Sequence, residues 1–305
     1  MEFFKHNTKI DFMGIRKWTA IISAVVFILS ISAVMINGLN FGLDFTGGMQ
    51  IEVVYAKPAN LAEIRGQLQR AGLGEAVVQG YGPSEDVLIT LRKQEHLKQD
   101  QIVEQVLSAL PGAEKRRVDF IGPQIGKELA TKGALAMIIS VLGTMIYIAM
   151  RFEYRFAVSS ALALIHDPML ILGIFAIFHI EFNLPALAAL LAVIGYSLND
   201  TIVVFDRVRE NFRKVRKGTP IEIMNLSINQ TLSRTIMTSA LTLVTVVILF
   251  FLGGEMIHSF SVAMIIGIVV GTYSSIYVAG ALALAMGLDR KDFIPVVVRE
   301  SDIKP

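Results

Sequence analysis

The stretch that decides the fold of this chain covers residues 156–205. It reads FAVSSALALIHDPMLILGIFAIFHI (156–180), EFN (181–183) and LPALAALLAVIGYSLNDTIVVF (184–205). A membrane-spanning helix needs about 20 mostly apolar residues, and both long segments meet that requirement. The stretch therefore predicts two transmembrane helices joined by a short turn.

The same apolar pattern recurs along the 305-residue chain, which is 53% hydrophobic and only 18% charged, with a mean hydropathy of +0.58. This is more apolar surface than a soluble core buries, so the bilayer is the expected solvent. The predicted fold is a polytopic α-helical membrane protein with six spans, at 18–36, 133–150, 156–180, 184–205, 237–252 and 259–286. The first apolar run is longer than a typical signal-peptide core and has no clear small-x-small site, which favours a permanent anchor over a cleavable signal.

Lysine and arginine are concentrated in the connections on one side of these spans. The connections at 151–155 and 206–236 are basic, whereas the short loops at 179–183 and 253–258 have no Lys or Arg. By the positive-inside bias, both tails (1–17 and 287–305) are predicted to be cytoplasmic. The segment 37–132 is then on the outer side.

This outer segment has the sequence pattern of a folded domain. Alternating or β-rich runs predict strands, and apolar residues at helical spacing predict helices. The predicted strands lie at 49–56, 75–80, 87–92 and through 118–120, with helices beginning at 61 and covering 102–110. The order is βαββαβ, the pattern of a ferredoxin-like α+β domain, which by itself names no function.

The basic cytoplasmic connection carries its own helix signal. Thr219, Pro220 and Glu222 form a capping box with proline at the first helical position. Apolar residues then fall on one face, which favours a short amphipathic helix lying in the membrane interface beside the basic segment. An ordinary amphipathic turn packed on the helix ends is the alternative.

Five polar residues in or beside the spans are the candidates for chemistry, because ionisable groups are costly to bury in a membrane. His166 and Asp167 lie in the third span, Asn199 and Asp200 in the fourth, and Arg234 just before the fifth. We predict a proton relay in which Asp200 takes up and releases a proton as its distance from Arg234 changes. A static ion pair or a polar seam that fixes helix register is the alternative.

Asp167 and Arg234 also have plainer interpretations. Pro168 follows Asp167 and frees a backbone carbonyl, so His166 and Asp167 could satisfy a kink. Arg234 is near the membrane boundary and could extend to the interface.

The sixth span has a small residue at every fourth position. The set is Ala263, Gly267, Gly271, Ser275, Ala279 and Ala283. Such a face packs closely against another helix, in this chain or in a partner.

Other motif searches exclude several classes of protein. The chain has no phosphate-binding loop, no histidine-rich metal spacing and no nucleophile elbow, and it has no cysteine. No enzymatic activity, cofactor or metal is therefore predicted. The net charge of +2 indicates no nucleic-acid partner.

Four groups of residues together resemble the SecF family, subunits of the bacterial Sec protein-export machinery and a branch of the resistance-nodulation-division superfamily. They are DFTGG (44–48), GPQIG (122–126), HD (166–167) and GYSLNDT (195–201), the last continuing to DRVREN (206–211). The resemblance extends from about residue 40 to 288, with no clear departure at a motif position.

This resemblance implies a multi-pass protein of the bacterial inner membrane that pairs with SecD, associates with the SecYEG channel and uses the proton motive force to move unfolded preproteins on the periplasmic side. It also implies that Asp200 and Arg234 take part in proton transport. The glycine motifs are interpreted as structural, comprising Asp44, Phe45, Gly47 and Gly48 with Gly122, Pro123 and Gly126. Six helices correspond to one half of a repeated transporter, which independently favours a partner.

Two other functions stay open at this stage. A proton-coupled exporter of small molecules or lipids would use the same intramembrane charges but needs a substrate pocket in its outer domain. A passive assembly factor would stabilise a channel and move no protons. The sequence does not distinguish protons from sodium as the coupling ion.

Overall fold

The computed structural model describes residues 8–74, 76–80, 83–91, 99–215 and 217–293. The predicted strand ends at 75 and 92, the basic residue at 216 and the outer parts of both tails lie outside these residues. The helices are α1 (Arg16–Asn37), α2 (Leu43–Thr46), α3 (Leu61–Arg70), α4 (Gln99–Ala109), α5 (Pro123–Arg151), α6 (Tyr154–Phe178), α7 (Leu184–Lys214), α8 (Pro220–Leu252), α9 (His258–Tyr273) and α10 (Ala279–Ala285). The strands are β1 (Asn40–Phe41), β2 (Gly48–Tyr55), β3 (Val77–Gly80), β4 (Asp86–Leu91), β5 (Ala113–Ile121) and β6 (Glu181–Phe182).

Six helices are long and apolar enough to cross a membrane, as predicted. Five of them are α1, α5, α6, α7 and α8. The sixth consists of α9 and α10, joined without a break by a π-helical turn, Ser274–Val278. The chain is a multi-pass membrane protein.

Three of these helices are longer than the apolar spans that predict them. α5 begins at Pro123 rather than at 133, and α7 continues to Lys214 rather than ending at 205. The predicted interfacial helix and the predicted fifth span are a single helix, α8, opened by the expected Thr219 and Glu222 capping box. Charged residues end an apolar run, but they do not end a helix. No Gly or Pro occurs between Pro220 and Gly253 to break it.

Residues 48–121 form a unit built around one antiparallel sheet, with the strand order β3-β4-β2-β5. Helix α3 follows β2 and helix α4 follows β4, so the order of elements is the predicted one. Three alternate residues of β2, Met49, Ile51 and Val53, are buried in one core with residues of both helices. Both helices therefore cover the same face of the sheet, and its other face carries no helix from this unit.

The membrane helices are arranged around α7, which contacts α6, α8 and α9. Helix α1 packs on the outside of α6, where Ser30 faces Gly173. At the end of the bundle away from the sheet unit, aromatic rings form a buried cluster. The Phe156 and Phe205 ring centroids are 4.4 Å apart, and those of Phe212 and Phe293 are 5.0 Å apart.

Candidate functional site

Asp167 is the centre of a buried hydrogen-bond network that joins three helices. Its Oδ2 accepts a hydrogen bond from Ser197 Oγ on α7 and another, at 2.7 Å, from Ser274 Oγ in the π-helical turn. Its Oδ1 lies 2.9 Å from Nδ1 of His166. The carboxylate is 1% exposed, and these three partners satisfy both oxygens. The bonds do not go to the carbonyl that Pro168 frees, so the network ties helices together rather than filling a kink.

His166 has one satisfied and one unsatisfied ring nitrogen. Nδ1 lies within hydrogen-bond distance of the Asp167 carboxylate. Nε2 is buried and has no hydrogen-bond partner among the described residues. The ring stacks against Phe27 of α1 at 5.8 Å between centroids. His166 thus connects the Asp167 network to α1.

Asp200 is as buried as Asp167 but far less satisfied. It is 3% exposed, and its one hydrogen bond in the described chain is a long one, 3.5 Å from Ser239 Oγ on α8 to Oδ2. Ser239 Oγ is at the same time 2.8 Å from Thr272 Oγ1 on α9. An ionised carboxylate in this position is costly because it has no charged partner in contact.

The expected pairing of Asp200 with Arg234 is not present in this structure. Arg234 is exposed, and no salt bridge to it occurs within the described residues. Asn199 is exposed as well, although it precedes the buried Asp200. Sequence spacing assigns a residue to a helix face only to within about a quarter turn. Adjacent side chains point about 100° apart around the helix axis, so Asn199 and Asp200 lie on different faces of α7. The structure therefore separates the five predicted relay residues into a buried group, His166, Asp167 and Asp200, and an exposed pair.

Hydroxyl side chains complete this seam, and sequence reasoning missed most of them. Ser275 Oγ donates to the Ser197 carbonyl at 3.2 Å and lies 2.9 Å from Thr201 Oγ1. These residues, with Ser239 and Ser274, are buried where α7, α8 and the sixth span meet. The signal available in the sequence is a repeat of Ser and Thr at inward-facing positions of apolar spans.

The small-residue ladder of the sixth span packs on α7 of the same chain. A Cβ at Gly267 would lie 2.2 Å from Val193 Cγ2, and a Cβ at Gly271 would lie 2.9 Å from Ser197 Cβ. Ser275 continues the ladder with its hydrogen bonds to the same helix. Of the two partners that the sequence leaves open, the ladder at Gly267 and Gly271 therefore contacts the one within this chain.

The two glycine motifs are in direct contact with each other. A Cβ at Gly47, where φ is +68°, would lie 2.8 Å from Pro123 Cα, and a Cβ at Gly126 would lie 2.9 Å from the Gly47 nitrogen. Gly122 is the N-cap residue of α5. The motif at 44–48 therefore lies against the first turn of α5, and only glycine fits at this crossing.

Asp44 and Phe45 fasten the same motif to α7. Asp44 Oδ2 accepts the backbone N–H of Leu184 at 2.8 Å, at the first residue of α7. The Phe45 ring stacks on Phe182 at 5.9 Å. Strand β1 pairs in parallel with β6 just before α7. The entry to the sheet unit is thus bound to the ends of two membrane helices.

The comparison with known families fits this arrangement. Residues 101–289 match the family described as "Protein export membrane protein SecD/SecF, C-terminal", and residues 33–59 match the "SecD/SecF GG Motif". The protein translocase subunit SecF of Vibrio alginolyticus is 46% identical over 304 residues, covering 98% of this chain and 96% of that protein. This chain belongs to the SecF family. The Pseudomonas aeruginosa SecF, at 42% identity over 298 residues, covers 96% of both chains.

The chain is also similar to part of a longer solved chain, SecDF. The crystal structure of SecDF from Thermus thermophilus, a translocon-associated membrane protein, matches with a TM-score of 0.84 and 35% identity over 93% of this chain. A SecDF structure in a super-membrane-facing form matches with a TM-score of 0.71. The present chain spans 39% of either SecDF chain. This chain thus matches SecF relatives along nearly their whole length, whereas it matches less than half of a SecDF chain.

Proposed function

We propose that this chain is the SecF half of a complex with SecD, in the bacterial inner membrane, which uses the proton motive force to assist Sec-dependent protein translocation. The relatives named protein translocase subunit and the match to part of a SecDF chain support this proposal. In this proposal the complex associates with the SecYEG channel and acts on unfolded preprotein on the periplasmic side. The chain catalyses no covalent reaction in this role and needs no cofactor.

The proposed orientation places the sheet unit outside and both termini in the cytoplasm. Arg151, Arg155, Arg207 and Arg209 lie at the end of the bundle opposite the sheet unit, which suits a cytoplasmic face by the positive-inside bias. With its order of βαββαβ and its strand order, the sheet unit is proposed to be a ferredoxin-like periplasmic domain. It would present its helix-free face toward the outer ends of the spans.

The buried Asp200 is the observation that carries the proton relay. Asp167 has three hydrogen-bond partners and suits a fixed seam, whereas Asp200 has one long bond. Protonation of Asp200 removes a buried charge, so its protonation state can change the packing of α7 against α8. A charge that crosses 100 mV of membrane potential is worth about 2.3 kcal/mol. That energy shifts a two-state equilibrium by roughly fifty-fold.

Arg234 and Asn199 complete the proposed relay from the surface. Arg234 lies five residues before Ser239 on α8, and both Arg234 and Asn199 are exposed here. A movement of α8 along α7 would bring the guanidinium toward Asp200, and the reverse movement would withdraw it. In a two-half transporter such exposed polar residues lie at the interface between the halves, which is where SecD would be.

The test is export of a model preprotein into inverted membrane vesicles that contain the whole complex. Asp200→Asn is compared with Asp206→Asn, a matched change on the same helix at a half-exposed carboxylate that pairs with Arg151. We expect Asp200→Asn to lose the stimulation by a proton gradient, and Asp206→Asn to keep it, at equal abundance in the membrane. Unchanged stimulation in Asp200→Asn would refute the relay and favour a passive assembly factor.

The same vesicles separate the two coupling ions. We expect a pH gradient imposed without sodium to support stimulated export. A response to a sodium gradient alone would contradict the proton assignment and leave Asp200 as a sodium site.

A further inference from the structure

A groove of about 430 Å³ lies beside the first turns of α1 and α8, where α10 passes them. It is at the end of the bundle away from the sheet unit, and it is separate from the Asp167 and Asp200 seam. Its lining includes Arg16, Lys17, Ala20, Ile221, Ala281 and Leu284. The groove is therefore apolar along its length and cationic at one end.

The charge of the groove is of one sign. None of the described residues that line it is acidic. The nearest carboxylate on α8, Glu222, accepts the backbone N–H of Thr219 at 2.7 Å in the capping box. The amino-terminal turn of α8 adds a partial positive charge at the same end. An anion is thus favoured at this end, and a hydrocarbon chain is favoured along the rest.

The cationic end is held in place by the preceding segment. Two asparagines of α8 bind the backbone of residues 10–13. Asn229 accepts from the Ile10 nitrogen at 3.0 Å, and Asn225 accepts from the Met13 nitrogen at 2.9 Å. Met13 is fully buried, and its carbonyl accepts a hydrogen bond from the Arg16 guanidinium at 2.9 Å. Arg16 is therefore held at the groove before any ligand arrives, and Lys17 is the next residue of the same helix.

We infer that this groove binds one anionic phospholipid, with its phosphate at Arg16 and Lys17 and an acyl chain along Ala20, Ala281 and Leu284. Basic pockets between membrane helices near the cytoplasmic face suit anionic headgroups. The guanidinium group has further N–H donors for phosphate oxygens. Alanine side chains leave room for a chain to lie close to the helices. A zwitterionic lipid would fill the apolar part but gain less from the two cations.

A single tryptophan placed in the lining of the groove is a suitable probe. Trp18, the only tryptophan in the sequence, is 71% exposed and does not line the groove, so Trp18→Phe combined with Ile221→Trp moves the single tryptophan into the lining. Bromine atoms on an acyl chain quench tryptophan fluorescence at short range. The full-length protein is reconstituted in unbrominated phosphatidylcholine with a small fraction of either brominated phosphatidylglycerol or brominated phosphatidylcholine. We expect the brominated anionic lipid to quench this relocated tryptophan several-fold more than the zwitterionic lipid at the same fraction.

Three variants decide between a built groove and general attraction to a basic surface. Lys17→Gln should reduce the preference for the anionic lipid, and the matched change Lys9→Gln, at an exposed residue that does not line the groove, should leave it unchanged. Ala281→Phe keeps both cations and fills the groove, so it should also remove the preference. Equal quenching by the two lipids in the single-tryptophan protein that carries none of these three changes would overturn the inference. So would a full preference in Ala281→Phe, because the lipid would then be held by surface charge alone.

Discussion

Substitution of Gly267 by alanine should destabilise the bundle, although alanine favours helix. The added Cβ would lie 2.2 Å from Cγ2, 2.7 Å from Cγ1 and 3.0 Å from Cβ of Val193. Valine has one preferred χ1 rotamer in a helix, and Val193 is fully buried, so it cannot turn away. Overpacking of this kind costs about 1–3 kcal/mol. The gain in helix propensity offsets up to about 1 kcal/mol of this cost.

The expected net loss is about 1–2 kcal/mol, which corresponds to a fall of several degrees in melting temperature. The assay is thermal unfolding of the purified protein in one detergent, followed by circular dichroism at a fixed scan rate. Gly143→Ala on α5 is the matched control, because a Cβ there has no atom within 4 Å. That control should be neutral or slightly stabilising.

A second substitution tests whether the cost arises from this one contact. Val193→Ala makes room for the new methyl group, so Val193→Ala with Gly267→Ala should lose less stability than the sum of the two single changes. We expect a coupling of about 1 kcal/mol, within the usual range for residues in contact. Two results would contradict this reasoning. One is equal melting temperatures for Gly267→Ala and Gly143→Ala, and the other is a stability loss in the double variant equal to the sum of the two single losses. In either case, close packing of the sixth span on α7 is not the reason for glycine at 267.

Two further predictions concern the sheet unit and its attachment. Asp44→Ala removes the acceptor for the Leu184 N–H, and we expect a loss of about 1 kcal/mol in stability to unfolding, seen as a lower melting temperature, while Asp44→Asn keeps an acceptor oxygen and most of the stability. Burial, together with the nearby Glu63 carboxylate, raises the pKa of Tyr55 above its ordinary value of 10.0. Because the folded protein then holds this proton more tightly than the unfolded chain, the contribution of Tyr55 to stability is complete below pH 10 and is lost as the pH rises through the folded pKa. A spectrophotometric titration of the protein and of Tyr55→Phe should show one phenolate, with a midpoint above pH 10, missing from the variant.

A different result would contradict each of these two predictions. Equal melting temperatures for Asp44→Ala and Asp44→Asn would show that the cap contributes nothing to stability. A phenolate assigned to Tyr55 that forms below pH 10 would contradict its burial in the sheet unit.

The number of spans and the order of elements in the sheet unit could be predicted from the sequence, because both depend on local patterns. An apolar run such as 184–205 is long enough to identify a span by length alone, and alternation at 49–56 identifies β2. The end of α7 and the continuity of α8 could not be predicted in the same way. Hydropathy detects where an apolar run stops, whereas α7 continues through charged residues to Lys214 and α8 runs unbroken from Pro220 to Leu252.

The candidate site could also be predicted only in part from the sequence. The presence of Asp167 and Asp200 in apolar spans marked them, since ionisable residues are costly there. Their different surroundings could not be read from the sequence, because Ser274 and Ser239 come from helices far away in the chain. Nor could the partner of Gly267 be identified, because a ladder of small residues fits any helix of complementary shape. The contact between Gly47 and Gly126 is likewise a tertiary feature.

The cap that Asp44 places on α7 gives that helix the geometry of a lever. At 1.5 Å per residue, Asp200 lies about 24 Å along α7 from Leu184, where the sheet unit is fastened. A tilt of about 5° around Asp200 would therefore displace the fastened end by roughly 2 Å. Strand β5 ends at Ile121 and α5 begins at Pro123, so the connection at Gly122 has almost no slack in which such a displacement could be lost. A small angular change near the buried carboxylate would thus move the whole sheet unit at the opposite end of the bundle.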